Sequence, residues 1–194
     1  MRRLALLACV LAALPAVALA RSPTVQDRDD SKAAVDIATA KGSHNRTADQ
    51  LVHVITTYDA FAPSDLLNRD GPPGSVCLNI WTTREPGEDP PNYDVCVTSD
   101  KRGRVYRASI ARETRNARRV GAGRVDQPDP KRLEIRFDPD RIHRPRSYRW
   151  VAQSATFGEG CSARTGCEDF APDRPDTAIT RLGKPRRKRA SRSR

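Results

Sequence analysis

Past residue 20 the chain has no uncharged apolar run near the roughly 18 residues that a membrane-spanning helix needs. It has no CxxC pair, and its three histidines, His44, His53 and His143, are scattered, so the spacing of a zinc site is missing. No long segment carries the 3.6-residue period of an amphipathic helix, which argues against a helical bundle. Gly121-Ala122-Gly123-Arg124 lacks the Lys-Ser/Thr of a phosphate loop and reads as a turn. No motif sets a nucleophile beside a base, so no catalytic residue is assigned. The last fourteen residues contain no acid.

What is present begins with MRRLALLACVLAALPAVALA. Arg2 and Arg3 are followed by an apolar stretch and by the small residues Ala18-Leu19-Ala20. This is the pattern of a secretory signal peptide (residues 1–20), cleaved after Ala20, and it implies a secreted protein. Only five apolar residues, Leu4 to Ala8, precede Cys9, too few for the apolar region of a lipoprotein signal. Four cysteines then remain, Cys77, Cys96, Cys161 and Cys167, an even number that in an exported chain reads as disulfides.

The formal charge of +11 is unevenly placed. Two of the 35 cations lie in the signal and eight in the last fourteen residues, while all 24 acids lie between. Residues 21–180 are thus nearly neutral. The C-terminal RLGKPRRKRASRSR, with Arg181, Lys184, Arg186, Arg187, Lys188, Arg189, Arg192 and Arg194, carries the excess. Such a run stays extended and solvated, so residues 176–194 read as a disordered basic tail. Residues 21–32 read as a flexible polar segment and 33–175 as one domain.

Within that domain short apolar runs alternate with Gly, Pro, Asn and Asp clusters, the rhythm of strands and turns. DQLVHVITTY (49–58) is apolar on both faces, as a central strand is. RVYRASIA (104–111) places Tyr106, Ala108 and Ile110 on one face, and RLEIRFD (132–138) alternates Leu133, Ile135 and Phe137 with charges. YRWVAQSATF (148–157) supplies a late strand. ARETRNARR fits a helical turn or an arginine-bearing edge strand. The expected fold is an antiparallel β-sandwich, jelly-roll or Ig-like.

CLNIWTTREPGEDPPNYDVC (77–96) fixes one hairpin. If paired positions sum to 173, Val76 faces Val97, Leu78 faces Val95 and Ile80 faces Tyr93, one apolar face. Asn79 then faces Asp94 and Cys77 faces Cys96 on the other. Directly opposed positions have the spacing a disulfide needs. The pairing Cys77–Cys96 follows, and Cys161–Cys167 closes the loop CSARTGC.

In this order the chain resembles secreted bacterial β-sandwiches laid out like the family-9 carbohydrate-binding and DOMON domains. The landmarks are VDIATAKG, LVHVITTYDAF, NYDVCV, RLEIRFDPDRI, YRWVAQS and CEDFAPD, over roughly residues 33–175. DOMON-type haem domains use methionine and histidine ligands. The sole methionine is Met1, in the signal, so that site is absent from the mature chain. Sugar-binding relatives use exposed aromatic planes. Trp81 falls on the outer face beside the disulfide, as a ligand contact or a cover for its neighbours, and Trp150 falls in a core strand.

Glu85, Glu88, Asp89 and Asp94 around the hairpin loop offer oxygens to a structural calcium ion or simply form a solvated turn; no other cofactor is expected. Asn45-Arg46-Thr47 is a glycosylation sequon, and His53 is expected to be partly buried. The leading expectation is a secreted, non-enzymatic β-sandwich whose basic tail, Lys184 to Arg194, meets polyanions or polysaccharide of the cell envelope. Its export argues against an intracellular nucleic-acid partner. A carbohydrate-binding module using Trp81 is the alternative, and an extracellular hydrolase comes third.

Overall fold

A computed structural model of the chain describes residues 23–69, 71–82, 90–113, 117–158, 160–162, 166–173 and 175–184. These form eleven strands, all pairings antiparallel, with two short 3-10 turns at Pro63–Leu66 and Pro139–Ile142. The strands are β1 (Thr24–Gln26), β2 (Ile37–Asn45), β3 (Gln50–Thr57), β4 (Ser75–Trp81), β5 (Tyr93–Ser99) and β6 (Tyr106–Arg112). They continue as β7 (Arg118–Asp129), β8 (Arg132–Phe137), β9 (Ser147–Thr156), β10 (Cys167–Ala171) and β11 (Ala178–Arg181). The all-β antiparallel sandwich expected from the sequence is what the chain adopts.

The strand order is β1-β2-β3-β8-β7-β6-β5-β4-β9-β10, with β11 also on β9. Strand β7 belongs to both layers: Arg118–Gly123 pair with β6 and Arg124–Asp129 with β8. The two layers of the sandwich are therefore one sheet folded over at β7. Opposite that fold β2 touches β10 and β11, so the sheet is rolled nearly into a barrel.

The central hairpin has the register read from its sequence, Val76↔Val97 through Ile80↔Tyr93. Both disulfides, Cys77–Cys96 and Cys161–Cys167, are formed. Strands β3, β6 and β8 bury alternate residues, because period-two alternation is what a sheet with one packed face requires. Leu51, Ile55, Leu78, Ile80, Val95, Ile110, Leu133, Ile135 and Trp150 fill the interior.

The structure corrects several boundaries. The N-terminal segment is not wholly free: Thr24–Gln26 pair with Lys41–Thr39 of β2. The domain does not end at 175, since β11 pairs with Trp150–Ser147 and its Ala178 and Thr180 are buried. Residues 121–124 lie inside β7 and form no turn, while Arg118 and Arg119 belong to the half of β7 that pairs with β6 alone, an arginine-bearing edge of that layer. Two inward glycines explain the miss. Gly121 makes room for the side chain of Arg141 and Gly123 for the carbonyl of Arg136 on β8, so the glycines there serve close packing. His53 is wholly buried, and burial holds its imidazole neutral with a pKa near 3.

The seam between β2 and β10 is acidic. Asp169 accepts the Ile37 N–H at 2.6 Å and the Phe170 N–H at 2.8 Å. Asp27 and Asp36 lie beside it, with Asp27 Oδ2 and Asp36 Oδ1 buried and unpaired. Burial, then the charge of Asp169, pushes Asp27 up to about 7, and burial pushes Asp36 up to about 6. A carboxyl with a raised native pKa binds its proton more tightly folded than unfolded. Its contribution is complete at low pH and is lost as pH rises through the native value. Below pH 6.5 neutral His53 opposes this, so the clean window is pH 6.5 to 8. The melting temperature is expected to fall across that window, and Asp27→Asn should be the more stable form at pH 8. Parallel melting curves of parent and Asp27→Asn would show this linkage to be absent.

Candidate functional site

Antiparallel alternation sends the C-terminal ends of β2, β4, β6, β8 and β11 to the same end of the sandwich. The turns at 46–49 and 138–146 gather there, together with Thr82, Asn92, Glu113, Ala117 and residues 182–184. These segments are rich in arginine. Arg46, Arg112, Arg118, Arg119 and Arg141 lie in or beside the turns, and Arg146, Arg149, Arg181 and Lys184 surround the exit of the C-terminal segment.

Few described acids oppose them. Asp49, Asp138 and Asp140 all face one cation, Arg144. Its Nη1 and Nη2 donate to the two oxygens of Asp49 at 2.9 Å each, and its Nε donates to Asp140 Oδ1 at 2.6 Å. Asp138 Oδ1 lies 3.9 Å from Nη2. The guanidinium holds the carboxyls of Asp49 and Asp140 below the usual range, and the two carboxylates raise Arg144 in turn. Asp49, Asp138 and Asp140 are thereby engaged by Arg144. Among the described residues, Arg46, Arg112, Arg118, Arg119, Arg141, Arg146, Arg149, Arg181 and Lys184 form no ion pair. Remote from this end's unpaired cations, Arg124 and Arg136 each meet a carboxylate.

Backbone geometry singles out the same end. Asp49, His143 and Arg144 have φ of 53°, 59° and 44°, a region that side chains other than glycine seldom occupy. The Asp49–Arg144 pair clamps two such turns, 95 residues apart in sequence, against each other.

The C-terminal segment is fastened here before it leaves the described residues. Leu182 N–H donates to Arg146 O at 2.9 Å, and Gly183 N–H donates to His44 Nδ1 at 3.1 Å. His44 Nε2 faces Asp49 Oδ1 at 3.0 Å, and Arg46 Nε donates to the carbonyl of Lys184 at 3.0 Å. Lys184, assigned to the free tail from sequence, thus belongs to an ordered root because its own carbonyl is held. Arg186, Arg187, Lys188, Arg189, Arg192 and Arg194 lie outside the described residues, as does the signal segment.

Trp81 ends β4 at this same end, half-buried and directly opposite Arg149 of β9. Beside it Asn79 Nδ2 donates to Asp94 Oδ1 at 2.8 Å, and burial pushes Asp94 up to about 6. Asp94 is therefore engaged by an amide. Glu85, Glu88 and Asp89 lie outside the described residues. Among the described residues no three of His, Cys, Asp and Glu are placed to hold a metal ion, and no helix is long and apolar enough to cross a membrane. Trp150, by contrast, is in the core, its indole N–H donating to Thr180 Oγ1 at 2.9 Å.

The sequence located the charge in the tail and missed its continuation onto the folded domain. Whole-domain neutrality concealed it, because the signal lies in strand direction: cations cluster after alternate strands. Comparison with family models, with curated proteins and with solved structures finds no match to this chain.

Proposed function

We propose that the chain is an exported, non-enzymatic β-sandwich that attaches to a polyanion of the cell envelope through its basic end and the tail that follows. One observation carries this reading. Arg46, Arg146, Arg149, Arg181 and Lys184, none of them in an ion pair among the described residues, lie at the fixed root from which the basic C-terminal sequence continues, so folded cations lead directly into it. The signal-like N-terminus supports export, and two disulfides fit an oxidising compartment. Arginine forks suit phosphate and carboxylate groups alike.

The test compares residues 21–194 with a version ending at Lys184, which keeps β11 and the tail root. Both are mixed with isolated cell walls and with insoluble neutral polysaccharide at 50 and 500 mM salt. Retention of the full form on walls is expected, with release at high salt, because counterion release makes such binding fall steeply with ionic strength. The shortened form should bind at least about tenfold more weakly, since several phosphate-type contacts are lost. Equal, salt-resistant retention of both forms on neutral polysaccharide would instead favour a carbohydrate-binding module. Half-exposed Trp81, aligned with Arg149, supports that second reading, and Trp81→Ala should then abolish retention.

A further inference from the structure

Three of the unpaired arginines share one mouth of the sandwich. Ile110 of β6 is buried and pairs with Gly121 of β7. After the bulge at Val120 the register gives Ala111↔Arg119 and Arg112↔Arg118. By alternation Arg112 and Arg118 share the side of Gly121, which faces between the layers. On that side lies Arg141, from the 3-10 turn: its Cδ would stand 2.9 Å from a Cβ at Gly121, and its Nη1 donates to Val120 O at 3.2 Å. Arg112 is also flanked by Tyr93, directly opposite on β5.

Like charges directly opposed on adjacent strands destabilise a sheet. Arg124 and Arg136 of the neighbouring pair β7 and β8 share the carboxylate of Asp126. At the mouth Arg112, Arg118 and Arg141 form no ion pair among the described residues; the neighbouring Glu113 is turned to Asp94 on the other face. A glycine is kept where Arg141 crosses the strand.

We propose that Arg112, Arg118 and Arg141 form a binding site for a phosphate group of an extracellular polymer. The proposal rests on the polyanion reading of this end and adds a discrete locus to it. Three guanidinium forks need more acceptor oxygens than one carboxylate has, and a tetrahedral phosphate supplies them. A polymer is favoured over a lipid surface because the exposed large apolar residues among the described ones are Val105 and Ile179, neither beside these arginines.

The test titrates residues 21–194 with inorganic tripolyphosphate, read by calorimetry and by melting temperature. Two variants accompany the parent: Arg112→Ala with Arg118→Ala, and a tail form carrying Arg186→Gln, Arg187→Gln, Lys188→Gln and Arg189→Gln. The mouth variant should bind at least about tenfold more weakly, because charge-assisted forks are lost. The tail variant should stay within about twofold of the parent, since it leaves all three mouth guanidiniums in place. In phosphate-free buffer the mouth variant should melt no lower than the parent, its like-charge pair being gone; folding is thus checked in the same experiment. Unchanged tripolyphosphate binding by the mouth variant would overturn the site, as would equal binding of dextran sulfate or polyacrylate. Retention on phosphatidylglycerol vesicles but not on immobilised polyphosphate would overturn the polymer. If walls retain parent and mouth variant alike while the titration shows no mouth effect, the site fails and attachment by the tail stands. If walls retain neither, attachment fails and the titration still decides the site.

Discussion

Trp150→Ala is expected to remove roughly 3–5 kcal/mol of folding stability. The residue is fully buried on β9, at the centre of a polar cluster that joins β2, β3 and β9 with β11. Its ring stands edge-on to His53 with centroids 4.9 Å apart, and His53 Nε2 meets Tyr148 OH at 2.7 Å. Gly42 lies against three of the cluster's side chains: a Cβ there would fall 2.5 Å from Thr180 Oγ1 and 2.9 Å from both His53 Cε1 and Trp150 Nε1. Truncation thus opens a large cavity and also removes the indole hydrogen bond to the Thr180 hydroxyl. Domains of this size are stable by only about 5–15 kcal/mol, so the variant should populate unfolded chain at moderate urea. A loss below about 1.5 kcal/mol by urea unfolding would mean that the interior collapses around the gap, and that the cluster does not anchor the two layers.

Replacing Cys77 and Cys96 together by alanine should cost roughly 3 kcal/mol, from the entropy of the unfolded chain that the link removes. The two residues are 19 apart in sequence, against 6 for Cys161 and Cys167, so the second link should contribute about 1 kcal/mol less. For a chain of this length the first replacement corresponds to a melting temperature lower by about 6–12 °C. Equal losses at the two links would show that loop entropy is not the controlling quantity.

The central hairpin was legible because two independent patterns, apolar alternation and cysteine placement, agree on one register. Strands β6 and β8 were legible for the simpler reason that one of their faces is polar. The closing strands were not. β1 and β11 are three and four residues long, and their sequences, Thr24-Val25-Gln26 and Ala178-Ile179-Thr180-Arg181, carry no pattern that separates them from a linker. Their pairing is set by β2 and β9, distant in sequence. The same distance hid the clamp between Asp49 and Arg144, and the burial of His53 depends on Gly42, Phe137 and Trp150 from three other strands. At the candidate site the tail was visible as composition. The mouth formed by Arg112, Arg118 and Arg141 required a bulge and a packing glycine that composition does not announce.

The seam opposite β7 has a kinetic meaning. It is shut by β2 on one side and by β10 and β11 on the other, so closure joins segments more than a hundred residues apart. Contacts of such high sequence separation form late and slowly. The grip on Gly183 and Lys184 comes from His44 and Arg46 across that same seam. A half-folded chain therefore has a basic tail but no fixed root for it. Only a chain that has completed folding holds Gly183 and Lys184 beside His44 and Arg46, which makes the ordered root of the tail a readout of maturation.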